Sequence, residues 1–233
     1  RLLKKATETP GPTAVFAYTV KGWGLHSAAD PRNHAATLTP EQFDQLAETT
    51  GRDPANPWER FSESSAEHKY IDDAIRRLGI RDTTVEPPLE FVDTQMSIPN
   101  VASTQDAFGR MLVELDRTSP ESAGRIVTIS ADVATSTGLS SWINRSAVWS
   151  RNEDPDYLGF GERLLKWIPT PKGRHIELGL SEMNMFLLLS QLGLSDRMSG
   201  KRLIPIGTVY DPFIARGTDA LINGLYQESR FIL

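Results

Sequence analysis

Apolar residues in the second half of the chain alternate between helical spacing and short continuous runs. Phe108, Met111, Leu112 and Leu115 form a stripe behind Ser103 and Asp106, the spacing of a helix start. An apolar run at 125–130 predicts a strand, and a long polar segment follows with Trp142, Trp149 and Trp167 scattered through it. A short strand is expected over 175–178, a helix over 182–192, a strand over 202–209, a helix over 214–226 and a further strand from Arg230. Strands separated by helices imply a parallel sheet, and ligands of such sheets collect at the carboxyl ends of strands. The fold class read from this pattern is α/β.

The first hundred residues are patterned differently. Residues 13–20 are β-branched and aromatic, predicting a strand that runs into Lys21-Gly22-Trp23-Gly24. Residues 25–37 are polar and loop-like. Thr39-Pro40-Glu41-Gln42 combines a capping residue, Pro at the first helical position and Gln three along, so a helix should follow as far as Thr49. Residues 51–61 read as a connector, and Ser64 with Glu67 repeats the capping-box spacing before a helix reaching Leu78. Residues 80–102 are Pro-rich and extended, a candidate linker.

Composition narrows the classes little. The 233 residues suffice for one or two domains with a real core. A net charge of −5 with scattered Lys and Arg gives no basic stripe, so nucleic acid is not an expected partner. No apolar run approaches the ~20 residues of a membrane span, so no membrane role is expected either. Cysteine is absent, which removes disulfides and thiolate metal sites and fits an intracellular, cytoplasmic location. The chain opens at Arg1 and closes on Phe231-Ile232-Leu233, a strand just beginning. The expectation is a piece of a longer protein.

Three stretches carry candidate chemistry: Ser130-Ala131-Asp132 closing a strand, Gly179-Leu180-Ser181-Glu182 opening a helix, and Gly207-Thr208-Val209-Tyr210-Asp211-Pro212-Phe213 after another strand. In this order they resemble the pyrimidine-binding domain of thiamine diphosphate enzymes, first the homodimeric E1 components of 2-oxo acid (pyruvate-type) dehydrogenases and next the transketolases. The resemblance implies a transketolase-like pyrimidine-binding domain over 103–233, incomplete. Before it come a helical and Pro-rich linker over 38–102 and, over 1–37, the tail of a diphosphate-binding domain with an active-site loop.

The implied reaction is oxidative decarboxylation of pyruvate or a similar 2-oxo acid, with the acyl unit passed to a lipoyl-bearing partner by a homodimeric enzyme. The cofactor's own amino group removes its C2 proton when a carboxyl group hydrogen-bonds the ring nitrogen in a dry pocket. By resemblance Glu182 is that carboxyl. Alone, it could equally be a first-turn acid favoured by the helix dipole, and its apolar neighbours Met183, Met185 and Phe186 favour the buried, catalytic reading. Tyr210 and Phe213 match the aromatic positions that pack on the pyrimidine, or else are core residues of a strand-helix junction. Arg216, one turn on, could meet a phosphate or carboxylate or lie solvated.

Asp132 matches an acid close to the cofactor, or starts a turn. The next residue is Val133, where pyruvate-specific enzymes usually carry Glu and transketolases an aliphatic residue. Lys21-Gly22-Trp23-Gly24 resembles the end of the diphosphate domain, placing Lys21 among the cofactor-binding residues. His34, twelve residues beyond Gly22, matches a loop histidine that reaches cofactor and substrate, or is a surface histidine. His26 matches no family position, and His68 and His175 read as structural. The G-D-G motif that holds Mg2+ and the diphosphate in the family does not occur, so the Mg2+ ligands are expected outside the chain and no metal ligand is assigned in it. Two alternatives remain: transketolase-type two-carbon ketol transfer, which Val133 and His34 favour, and a non-catalytic dimerisation or cofactor-shaping fragment.

Overall fold

A computed structural model describes residues 2–79, 86–93, 95–97, 99–152, 165 and 167–233. The chain divides into two compact units, Arg1–Ile80 and Arg81–Leu233. The division falls inside the segment 38–102 read as a linker.

The first unit holds helices α1 (Leu2–Glu8), α2 (Pro40–Thr49) and α3 (Ala66–Leu78). Helix α2 starts as its sequence dictates. Thr39 caps it through the N–H of Gln42, and the Gln42 side chain returns a bond to the Thr39 N–H, satisfying two donors that a helix start leaves unpaired. In α3 the cap is Ser65, one residue later than the sequence spacing suggested, because its hydroxyl meets the N–H of His68. Gly79 closes α3 in the left-handed conformation that glycine adopts without strain. Residues 13–20 form no strand; they are exposed throughout and pair with no other strand among the described residues, and an isolated strand has no ladder to stabilise it. Their β-branched pattern was misleading for that reason.

The second unit is a parallel α/β sheet sandwiched by helices. Its elements run α4 (Thr104–Thr118), α5 (Pro120–Ala123), β1 (Ile126–Ser130), α6 (Ser140–Ser146), β2 (Val148–Trp149), β3 (Pro169–Thr170), β4 (His175–Glu177), α7 (Glu182–Leu192), α8 (Ser195–Ser199), β5 (Ile204–Thr208) and α9 (Thr218–Tyr226). The strands lie in the order β3-β2-β4-β1-β5, all parallel. Ile232 adds a parallel bridge to Ile206 where the sequence suggested another strand. Helix α6 and strands β2 and β3 arise within the segment that read only as polar. The 214–226 helix is shorter than expected, its first turn being a 3-10 segment over Asp211–Gly217.

Strand β1 feeds both faces of the sheet. Ile126 joins Leu112, Leu139, Trp142, Ile143 and Ile206 on the face covered by α4 and α6. Ile129 joins Met185, Phe186, Leu189 and Ala220 on the face covered by α7 and α9. Alternation along a strand delivers successive side chains to opposite faces, and each fully buried aliphatic or aromatic side chain contributes about 1.5–3 kcal/mol. Pro205 is tolerated in β5 because its nitrogen points away from β1: Ile204 donates toward β1, whereas Gly207 donates to Ile232 on the far side. Asp116 anchors the α4 side, accepting from Arg145 and, at 2.7 Å, from Arg174, whose guanidinium lies over the Trp142 ring.

Helices α7 and α9 approach closely because glycines face them. A Cβ on Gly217 would fall 2.0 Å from the Phe186 ring, and one on Gly224 would fall 2.1 Å from the Ser190 hydroxyl. Phe186 is fully buried, so its ring is enclosed on all sides by packed neighbours. Gly217→Ala should therefore destabilise the second unit by about 1–3 kcal/mol, the usual cost of overpacking. Urea unfolding at matched slope checks this, and an unchanged midpoint would contradict the close contact.

Candidate active site

The carboxyl ends of β4, β1 and β5 lie side by side, and the three sequence stretches follow them. After β1, Ala131 is buried and Asp132 takes a left-handed conformation, φ 63°, with its side chain exposed. The turn is tied down by Ser130, whose hydroxyl accepts from the N–H of Val133, and by Thr137, whose hydroxyl bonds the Thr208 hydroxyl at 3.0 Å. That last bond joins the loop after β1 to the end of β5.

After β4 the chain turns at Gly179, φ 65°, and enters α7 at Glu182. Ser181 gives α7 no side-chain cap. Glu182 is the first helical residue and its side chain is only 6% exposed, unlike a solvated first-turn acid. Its one side-chain hydrogen bond among the described residues comes from Arg216 Nη1 at 2.9 Å. Arg216 is more than half exposed, and its guanidinium stacks over the Phe213 ring at 4.2 Å. Phe213 in turn meets Tyr210 edge to face, with ring centroids 6.2 Å apart. The 3-10 segment after β5 creates this cluster, because its tight turn carries Phe213 and Arg216 back over the start of α7.

A cavity of about 810 Å³ opens at the end of β5, walled by Tyr210, Phe213, Thr208, Ile206, Thr137 and Phe108. Glu182 does not line it; Phe213 and Arg216 link the two. A buried carboxylate beside an aromatic pair can receive the polar edge of a flat heteroaromatic ring while the ring's faces meet apolar surface.

The same fold is found in a solved transketolase. The chain aligns with a transketolase mutant from Pichia stipitis in complex with fructose 6-phosphate at a TM-score of 0.50 and 17% identity, taking in 94% of this chain and 33% of that one. The fold is transketolase-like. A transketolase from Leishmania mexicana aligns at a TM-score of 0.49 and 18% identity, over 85% of this chain and 29% of the other. In sequence, the chain is 26% identical over 234 aligned residues to the pyruvate dehydrogenase E1 component of Corynebacterium glutamicum. That alignment takes in 90% of this chain and 25% of the relative, so the chain spans a quarter of that protein's length. No family model matches the chain. The three motifs resemble E1 components first, and the sequence similarity is to one of them.

The transketolase-like unit thus gathers Glu182, Arg216, Phe213 and Tyr210, with Asp132 at the neighbouring strand end. Lys21 and His34 belong to the first unit, where Lys21 Nζ lies 3.4 Å from His34 Nδ1. Asn33 holds that loop, its amide donating to the carbonyls of Lys21 and Ser27. Gly22 permits the fold by lacking a Cβ, which would meet the Asn33 amide at 2.2 Å. Among the described residues no group of His, Asp and Glu side chains is placed to hold a metal ion, and no helix is long and apolar enough to cross a membrane.

Sequence reasoning missed Glu177, which ends β4 opposite Ser130. Its Oε1 accepts from the N–H groups of Asp132 at 2.7 Å, Leu178 at 3.1 Å and Gly179 at 3.2 Å. Its Oε2 faces Nε2 of the fully buried His175 at 3.6 Å, beyond hydrogen-bond length and within ion-pair reach. The one available signal was position: an acid at a strand end two residues before a glycine. Burial works against the Glu177 charge, but the His175 imidazole and the backbone donors outweigh it and hold the carboxyl below its ordinary range. A carboxyl depressed in the folded state stabilises fully above its unfolded value of ~4.3 and loses that contribution as pH falls through the folded value. The stability advantage of the natural chain over Glu177→Gln should therefore hold steady between about pH 7 and 5 and shrink below about pH 4. Denaturant titrations across that range test the sign; an advantage that grows on acidification would refute it.

Proposed function

We propose that the chain is the pyrimidine-side portion of a thiamine diphosphate-dependent enzyme of the 2-oxo acid dehydrogenase E1 kind. The observation that carries this reading is the buried carboxylate of Glu182, set at the start of a helix beside a Tyr-Phe pair at the carboxyl end of a parallel sheet. The similarity to a pyruvate dehydrogenase E1 component supports the same reading. The segments 1–37, 38–102 and 103–233 are then the tail of the diphosphate domain, the linker and the pyrimidine domain.

When bound, thiamine diphosphate supplies a carbon nucleophile for attack on a 2-oxo acid and an electron sink for loss of carbon dioxide. Glu182 would hold the cofactor by a hydrogen bond from its carboxyl to the pyrimidine nitrogen, the proton-sharing contact that its C2 chemistry needs. The low exposure of Glu182 excludes water that would compete for that bond. Arg216 occupies Glu182 Oε1 in this structure; being largely exposed, it has room to withdraw and leave the carboxyl to the ring. Tyr210 and Phe213 present the apolar and edge contacts that orient a flat ring. Asp132 stands at the adjoining strand end as a further polar contact for cofactor or substrate. Lys21 and His34, already neighbours in their loop, would meet the cofactor's anionic side and a developing oxyanion respectively. In this reading the Mg2+ and diphosphate ligands lie in other parts of a longer, homodimeric enzyme, and the acyl unit passes to a lipoyl-bearing partner.

Val133 favours a second reading, transketolase-type ketol transfer, because an aliphatic residue there resembles transketolases. Comparing pyruvate, 2-oxobutyrate, 2-oxoglutarate and a ketose phosphate as substrates of the full-length protein separates the two.

Glu182→Gln keeps size and hydrogen-bonding capacity but removes the exchangeable carboxyl proton. In the full-length protein it should slow exchange of the cofactor's C2 proton by about two to four orders of magnitude, the range of a general acid-base group. Cofactor affinity should change far less. Deuterium exchange followed by NMR after acid quench isolates this step, and an unchanged rate would remove Glu182 from the catalytic machinery.

A further inference from the structure

Glu177 sits between a buried chain of hydrogen bonds, which it meets at ion-pair distance, and a set of backbone donors. The chain runs inward. Trp142 Nε1 donates to Thr128 Oγ1 at 2.8 Å, and Thr128 Oγ1 lies 2.9 Å from His175 Nδ1. Both Thr128 and His175 are fully buried. An indole N–H can only donate, so the Thr128 hydroxyl accepts from Trp142 and still has its hydrogen and a second lone pair to bond His175 Nδ1. The other ring nitrogen, Nε2, faces Glu177 Oε2 at 3.6 Å. The buried imidazole thus stands behind the second oxygen of Glu177.

The backbone donors lie on the outward side. Asp132 and Gly179 are both left-handed, and their N–H groups converge on the same oxygen, Glu177 Oε1. Leu178 shares its N–H between this oxygen and the carbonyl of Ser130. A left-handed aspartate is disfavoured by its own Cβ, and it persists here against a charged acceptor. Gly179 lies three residues before Glu182, in a turn that Ser181 leaves without a side-chain cap. The path of the chain into α7 is held by Glu177 in place of a cap.

We propose that Glu177 is a positioning residue. Its carboxylate locks the turns after β1 and β4 to each other and so sets where Asp132 and Glu182 stand. The role in catalysis rests on the function proposed above; the mechanical role does not.

Two readouts separate the two claims. In this chain, Glu177→Ala should lower amide hydrogen-exchange protection at Asp132 and Gly179 by about tenfold or more, since each loses a bond to a charged acceptor, while Ile129 within β1 is unchanged. In the full-length protein with saturating thiamine diphosphate, Glu177→Ala should slow C2 proton exchange by about tenfold or more, and Glu177→Gln should recover most of it, because an amide oxygen still accepts from both turns. Unchanged protection at Asp132 and Gly179 would overturn the proposal. So would lost protection with C2 exchange unaffected, provided that Glu182→Gln slows exchange in parallel. If Glu182→Gln has no effect, the functional reading fails and the amide result alone decides the mechanical role. Should Glu177→Ala fail to fold, Glu177→Asp, one methylene shorter, replaces it with the same expected loss at Asp132 and the same overturning result.

Discussion

Strand β1 is the element on which the second unit depends. It pairs with β4 over Thr128–Ser130 and with β5 over its full length, Ile126–Ser130. Every residue of β1 but Val127 is buried. A parallel strand so enclosed must satisfy its backbone in the ladder and its side chains in two cores, and here the alternation of Ile126, Thr128 and Ser130 with Val127 and Ile129 does both. The polar members of that alternation are not wasted on the core. Thr128 takes the Trp142 and His175 bonds and Ser130 caps the turn that follows.

From that strand the candidate site follows with little freedom. The ladder registers Ser130 against Glu177 and Thr208, so the ends of β4, β1 and β5 finish level. Side chains then tie the turns beyond them, Glu177 to the Asp132 turn and Thr137 to Thr208. Sites at the carboxyl ends of parallel strands owe their precision to such supports, since loops alone leave functional groups loosely placed. The closeness of α7 to the 3-10 segment and α9 brings Arg216 to Glu182, and that closeness exists because Gly217 and Gly224 leave room for Phe186 and Ser190.

Burial of Glu182 against a partly exposed arginine is the electrostatic counterpart of this packing. A carboxylate removed from water is stable only with a partner, and Arg216 provides one from a position that solvent can still reach. The same geometry that stabilises the carboxylate leaves it open to exchange of partners. By contrast, Asp116 is held by two arginines on the opposite face of the sheet. Burial opposes its charge, and bonds from Arg145 and Arg174 overcome that and keep the carboxyl below its usual range. It is a structural anchor, whereas Glu182 has, among the described residues, a single replaceable partner.

Much of this was legible in the order of residues. The α/β alternation, the bounds of α7, the capping box of α2 and the three motifs with Glu182, Tyr210 and Phe213 all rest on local rules: periodicity, caps and turn chemistry act within a few residues. Where sequence reading failed, the deciding interaction lay elsewhere in the chain. Residues 13–20 have strand composition and no strand partner. The polar stretch after β1 conceals α6 because Trp142 is buried by its hydrogen bond to Thr128 and by Arg174, more than thirty residues on. The pairing of Arg216 with Glu182 spans thirty-four residues, and the bond from Asp132 to Glu177 spans forty-five. The sequence by itself determined which elements form and which side chains are chemically capable. Only the tertiary structure decided which of them meet, because a parallel sheet brings together strand ends whose neighbourhood in space is set by register and crossover, and no local pattern encodes either.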